Sequence, residues 1–262
     1  MRYVYPVVSR RAGGVSIGIN LNTNDACNWR CIYCQVPDLK LGTAPPVDLV
    51  LLEQELSGFL HEMQHGDFMR RVPPEMRRIN DIALSGNGEP TSAREFADVI
   101  ELIGRLKPAG LKLVLITNGS LMQRDSVQQG LRRMAQLDGE VWFKLDRASE
   151  AGMLRVNDTK STMEGVRANL ATAISCCPNT WLQTCWFAMD GLAPDRQDED
   201  DYLGFLSSCL KDGIGLQGVL LYGLARPSLQ PEASRLSALS TQQMEGFSAR
   251  ISSLGLPVKL AI

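Results

Sequence analysis

Six short apolar runs punctuate this 262-residue chain, and each is followed by a longer stretch whose apolar residues recur at helical spacing. The runs predict strands at 16–21, 81–85, 111–117, 140–145, 180–188 and 218–222, and 257–262 fits a last strand. The intervening periodicity predicts helices at 48–65, 93–107, 122–136, 161–176, 199–211 and 241–253. Strand and helix repeated in this way require parallel strands joined by right-handed crossovers. No internal repeat and no Pro/Gly/Ser-rich linker divides the sequence. The reading is therefore one α/β domain over 1–262, with its core at about 15–230 and a C-terminal helix and strand in 231–262. Six or seven strands fall short of the eight of a closed barrel, so the expected form is an open or partial (β/α) barrel. Its ligand site is expected at the C-terminal ends of the strands.

Local signals refine the boundaries. Ser92-Ala93-Arg94-Glu95 and Ser120-Leu121-Met122-Gln123 both fit the capping box. The run Asp198-Glu199-Asp200-Asp201 marks a helix N-terminus, where negative charge is favoured. Apolar residues make up 44% and charged residues 21% of the chain, which excludes a disordered or collagen-like protein. Lys and Arg number 27 against 29 Asp and Glu, a net charge of −2, so there is no global basic field for non-specific nucleic-acid binding. The basic pairs Arg10-Arg11, Arg70-Arg71, Arg77-Arg78 and Arg132-Arg133 read as solvated faces. The first residues lack the apolar core of an export signal. The longest uncharged stretch, 168–189, is interrupted by Asn169, Pro178, Asn179 and Gln183 and does not read as a membrane span. A cytoplasmic protein without a membrane partner is expected, and in that reducing compartment metal binding outranks disulfides as the use of its seven cysteines.

Three of those cysteines lie within eight residues, just past the first predicted strand, in Asn24-Asp25-Ala26-Cys27-Asn28-Trp29-Arg30-Cys31-Ile32-Tyr33-Cys34. Thiolates four and three residues apart can converge on one centre, and soft thiolates favour zinc, Cu(I) or iron–sulfur clusters. Zinc would need a distant fourth ligand. A cubane cluster, usually held by four cysteines, would keep one iron open to a substrate or cofactor.

The Cx3CxxC spacing, with Tyr33 before the last cysteine, resembles the signature of the radical S-adenosylmethionine superfamily. The flanking Ser16-Ile17-Gly18-Ile19-Asn20 and Tyr33-Cys34-Gln35 are similar to the branch of tRNA wyosine-synthase-related Fe–S oxidoreductases, and the likeness runs over about 15–230. It implies a partial (β/α)6 barrel and an enzyme in which Cys27, Cys31 and Cys34 hold a 4Fe–4S cluster. The fourth iron would be chelated by the amino and carboxylate groups of S-adenosylmethionine. An electron from a flavodoxin- or ferredoxin-like donor of low potential would release a 5′-deoxyadenosyl radical that abstracts hydrogen from the substrate.

Later strand ends carry the rest of the resemblance. Gly86, Asn87, Gly88 and Glu89 follow the second strand, where the glycines permit a tight turn and Glu89 suits the methionyl ammonium. Thr117 and Asn118 end the third strand. Lys144 and Asp146 share one face at the end of the fourth. With Tyr33, these are the expected cofactor contacts. Arg226, after the sixth strand, suits a substrate phosphate or carboxylate. No general base is assigned, because radical abstraction does not require one.

Two further patterns compete. His61-Glu62-Met63-Gln64-His65 fits H-E-x-x-H, the zinc hydrolase pattern. However, Leu52, Leu56, Phe59, Leu60 and Met63 form the apolar stripe of that helix, and the histidines project away from it. Cys176, Cys177, Cys185 and Cys209 are scattered and read as buried small hydrophobes rather than an auxiliary cluster. Archaeal wyosine-type relatives carry extra cysteines upstream of the main loop, whereas residues 1–26 contain none. A tRNA base is the expected substrate. The alternatives are a glycyl-radical activase, a peptide- or small-molecule-modifying enzyme, a zinc hydrolase using His61 and His65, and an iron–sulfur electron carrier or redox sensor.

Overall fold

Apolar runs covered on both faces become the central layer. The computed structural model describes residues 1–9 and 14–262, and the basic pair at 10–11 lies outside them. Eight strands form one sheet: β1 (Val4–Ser9), β2 (Gly14–Ile19), β3 (Ile79–Leu84), β4 (Lys112–Thr117), β5 (Glu140–Lys144), β6 (Thr180–Cys185), β7 (Val219–Tyr222) and β8 (Val258–Ala261). They lie side by side in chain order. Only β1 is antiparallel, pairing with β2, and every other neighbouring pair is parallel. The order begins at β1 and ends at β8, so the expected partial barrel is the observed fold, with the predicted last strand present.

Among the described residues seven α-helices connect and cover the strands: α1 (Leu49–His65), α2 (Phe96–Leu106), α3 (Asp125–Gln136), α4 (Glu150–Asn157), α5 (Met163–Cys176), α6 (Arg196–Lys211) and α7 (Thr241–Ser252). Alternation along the strands sorts their side chains between two faces. Ile17, Ile19, Ile82, Leu84, Leu113, Leu115, Val141, Phe143, Leu182, Val219 and Leu221 are fully buried in one cluster with the inner faces of the helices. The intervening positions face the inside of the barrel. Register aligns Lys144 with Gln183 and Leu220, and Cys185 with Tyr222, so polar groups of β5, β6 and β7 stand in adjacent rows.

Two elements escape the sequence reading. β1 contains Pro6, which disfavours a strand except at a sheet edge, and an edge is where β1 lies. α4 has only eight residues, too few for a clear periodic signal; Ser149 caps its N-terminus and Asp158, at φ 50°, ends it. Both expected capping boxes fail. α2 starts at Phe96 without a side-chain cap, and the Ser92 hydroxyl instead accepts from Ala44 N at 2.9 Å and Asn22 Nδ2 at 3.3 Å. α3 starts at Asp125, and Ser120 Oγ donates to Asn118 Oδ1 at 2.7 Å. Ser92 is taken by distant partners, and Ser120 by Asn118 two residues away and by Asn28, whose Nδ2 donates to its Oγ at 2.7 Å. Of the acidic run, Asp198 and Glu199 sit in the first turn of α6, which is capped by Asp195.

Candidate active site

The site is assembled from the cysteine loop and the C-terminal ends of β3 to β7. Asn20, at the end of β2, starts the assembly: its Oδ1 accepts from Asn22 N at 3.0 Å and from Asn87 N at 3.1 Å. Asn22 Nδ2 donates to Ala26 O at 2.8 Å, and Asn87 Nδ2 donates to Asp25 Oδ1 at 2.6 Å. These bonds stitch the cysteine loop to the Gly86–Gly88 turn. Both glycines are required there. Gly86 has φ 131°, and a Cβ on Gly88 would lie 2.1 Å from Ala26 O.

Cys27, Cys31 and Cys34 are free, half-buried, and open on one cavity of about 930 Å³. Burial pushes the Cys27 thiol up to about 12, and the charges of Glu89 and the other two thiols add to the rise. Burial likewise lifts Cys31 to about 11. A bound cationic core reverses that preference and draws off the protons. Among the described residues, no group of three or more His, Cys, Asp or Glu is arranged to hold a single metal ion. Three thiols that share a roomy cavity without closing on a point suit a polynuclear core better than zinc.

Glu89 is 2% exposed and borders the cavity. Its carboxyl accepts from Thr91 N at 3.0 Å, Thr117 Oγ1 at 2.7 Å, Asn118 N at 2.6 Å and the Thr91 hydroxyl. All four donors are neutral, and burial holds its pKa above the usual carboxylate range. Thr117 does not reach the cavity; it supports Glu89 and accepts from Gly119 N at 3.0 Å. Asn118 borders the cavity and donates to Asn28 Oδ1 at 2.8 Å, tying β4 to the cysteine loop.

Lys144 Nζ donates to Tyr222 Oη at 3.1 Å and lies 5.1 Å from the Tyr33 ring centroid. Tyr33 and Lys144 both line the cavity; Asp146 does not. Asp146 is 1% exposed and accepts from the Tyr33 hydroxyl, from Asn157 Nδ2 at 2.7 Å and from Cys185 N at 2.8 Å. It therefore braces Tyr33 from beneath. Arg226 is exposed on the loop after β7, at the same cavity.

Further cavity residues were not anticipated. Gln183 and Cys185 of β6 and Tyr222 of β7 line it. The signal for Gln183 was a lone amide inside an otherwise apolar run, and its Oε1 is buried without a partner. Cys176, Cys177 and Cys209 are buried apart from the cavity. The expected histidine pair is exposed on α1, its rings 4.8 Å apart. Glu62, the base in a hydrolase reading, instead accepts from Asp67 N and Phe68 N, each at 3.1 Å, at the end of that helix.

No family model matches the chain. It is 30% identical to a UPF0026 protein of Helicobacter pylori over 169 residues, covering 62% of this chain and 49% of that protein. It is 31% identical to a GTP 3′,8-cyclase of Synechocystis over 106 residues, covering 40% and 27%. The chain thus spans about half the length, or less, of these curated relatives. Among solved structures it resembles TYW1 with a lysine–pyruvate adduct bound, at TM-score 0.60, 13% identity and coverage of 92% and 74%. It also resembles coproporphyrinogen III oxidase of Escherichia coli, a radical SAM enzyme, at TM-score 0.53, 11% identity and coverage of 91% and 52%.

Proposed function

We propose, from the premise that this chain takes its place in the radical S-adenosylmethionine superfamily, that the cavity houses a 4Fe–4S cluster and S-adenosylmethionine and abstracts hydrogen from a substrate. When bound, the pair supplies an electron and a 5′-deoxyadenosyl radical; the remaining work belongs to this chain's residues. Cys27, Cys31 and Cys34 hold the cluster. Glu89, fixed by four neutral donors, presents a negative charge to a cationic ligand in a setting where water screens little. Asn118 and the Gly86–Gly88 turn shape the adjoining wall, and Lys144 with Tyr33 offers charge and a ring face to the cofactor. Thr117 and Asp146 act one layer behind, through Glu89 and Tyr33. Burial of this kind excludes the water that would quench a radical.

The observation that carries the proposal is the meeting of three free thiols and a carboxylate without a cationic partner on one cavity at the strands' C-terminal ends. The test is anaerobic reconstitution followed by reduction with S-adenosylmethionine. About four irons per chain and release of 5′-deoxyadenosine are expected. Intact S-adenosylmethionine would turn the reading to an electron carrier or redox sensor.

For the substrate we favour a tRNA base over a glycyl-radical protein, a peptide or another small molecule. Support comes from the sequence branch of the cysteine loop and from a relative that by name acts on a nucleotide. Arg226 at the cavity mouth suits the accompanying phosphate. Nucleoside mass spectrometry of tRNA from a deletion strain is the check, and an unchanged profile removes this substrate. A flavodoxin- or ferredoxin-like protein is the proposed donor. No helix among the described residues is long and apolar enough to cross a membrane.

A further inference from the structure

Resting on the reading of Cys27, Cys31 and Cys34 as cluster ligands, we infer that residues 228–232 form a strap that positions the Cys31–Val36 segment and keeps water from that side of the cluster. The segment makes no strand ladder of its own, so its backbone groups need partners from elsewhere. The strap supplies them from about 200 residues away in sequence. Ser228 Oγ donates to Ile32 O at 2.7 Å and lies 3.2 Å from Cys34 O. Leu229 N donates to Cys34 O at 2.9 Å. Gln230 Nε2 donates to Val36 O at 2.8 Å and approaches Cys34 O at 3.4 Å. Three donors thus crowd the carbonyl of one cysteine.

The strap is itself braced. Gln230 N donates to Ser228 Oγ at 3.0 Å. Glu232 accepts both Arg30 terminal nitrogens at 3.0 Å, and Arg30 Nε also reaches Asp158 at 3.1 Å. The C-terminal end of α4 completes the grip: Val156 O accepts from Ile32 N at 2.9 Å, and Asn157 O accepts from Arg30 N at 3.1 Å. Ser228 and Gln230 are 6% and 7% exposed, so these bonds lie out of water.

A cubane on three thiolates gains negative charge on reduction, and access of water stabilises the more highly charged state. Solvent exposure is among the factors that set the potential of such clusters. Closing one flank with buried side chains therefore holds the potential low, as a difficult reduction requires. Ser228 and Gln230 are positioning residues: they act through the cysteine segment and touch no reacting atom.

Ser228→Ala and Gln230→Ala in the full chain test this. Water entering the vacated space makes that flank more polar and holds the carbonyls less firmly than the fixed side-chain donors did. Expected are an undiminished iron content, a cluster midpoint less negative than wild type in potentiometric titration followed by EPR, and faster amide exchange over 31–36 in the apoprotein. The exchange gain is about fivefold for each net bond lost, near 1 kcal/mol. Four irons with an unmoved midpoint and unchanged exchange would overturn the strap while leaving the cluster reading intact. Wild-type protein that takes up no iron would overturn the cluster reading, and with it the strap's effect on potential. Should either variant fail to fold, Glu232→Gln decides: its expected result is exchange over 31–36 at least doubled, and no change would sink the inference.

Discussion

The two ends of the parallel sheet carry similar charges and treat them in opposite ways. At the N-terminal end, Glu140 opens β5 and accepts from Lys112 Nζ at 2.7 Å and Trp142 Nε1 at 3.2 Å. Burial works against its charge, but Lys112 and Trp142 outweigh it and its pKa falls below the usual value. At the C-terminal end, Glu89 has four hydrogen bonds and no cation, and burial wins, raising its pKa. A charge completed by the protein's own partner belongs to the fold. A buried charge left with neutral donors is costly to the empty protein and marks a place for a ligand.

The largest expected effect sharpens this contrast directly. Replacing any one of Cys27, Cys31 or Cys34 by Ala should take reconstituted protein from about four irons per chain to none, measured by iron analysis and Mössbauer spectroscopy. A variant that kept a full cluster would break the assignment.

Next in size is the carboxylate pair. Glu89→Gln should weaken S-adenosylmethionine binding about 10–100-fold by calorimetry, the loss of a charge-assisted contact worth about 1.5–3 kcal/mol, with the fold intact. Glu140→Gln should leave that affinity within twofold. It should lower stability by about 1 kcal/mol or less, since its partner Lys112 is largely in water. If the two variants exchanged these outcomes, the comparison would be wrong.

Smaller still is the effect of acid on the apoprotein, followed by urea unfolding. Glu140, with a depressed folded pKa, stabilises above the unfolded value of about 4.3, and that contribution is lost as pH falls through its folded value. Glu89 has the opposite sign. Its raised folded pKa means it opposes folding at neutral pH, and stability is recovered as pH falls through that pKa toward about 4.3. Glu89→Gln should abolish the recovery above about 4.3, and Glu140→Gln should blunt the loss below it. Least of all, His61→Ala and His65→Ala should shift stability by no more than about 0.5 kcal/mol and leave iron content unchanged. A loss of metal there would revive the hydrolase reading.

Much of this was legible in the chain. Six strands, their parallel pairing and the cysteine loop followed from apolar periodicity and from three cysteines in eight residues, because both signals are local. Ser92 and Ser120 misled for the complementary reason: their hydroxyls had the right spacing for a cap, but Ala44 and Asn22 for Ser92, and Asn28 for Ser120, offered better partners in space. Lys144 and Asp146 looked equivalent, sharing one face of a strand. In the fold Lys144 borders the cavity while Asp146 turns to Tyr33, Asn157 and Cys185. Nothing in the sequence separates them, since α4, which brings Asn157, gave no periodic signal of its own.

By itself the sequence determined which side chains are apolar, at what spacing, and therefore which segments become strands and helices and at which end of the sheet the chemistry collects. Those are matters of period and transfer from water, which act over a few residues. Tertiary structure alone decided which polar groups meet. Glu89 without a counter-ion, Arg30 gripped by Asp158 and Glu232, and Cys34 beneath Ser228 and Gln230 arise from contacts between distant stretches of chain. Hydrogen bonds and charges are short-ranged and directional, so their partners exist only once the sheet has folded and brought those stretches together.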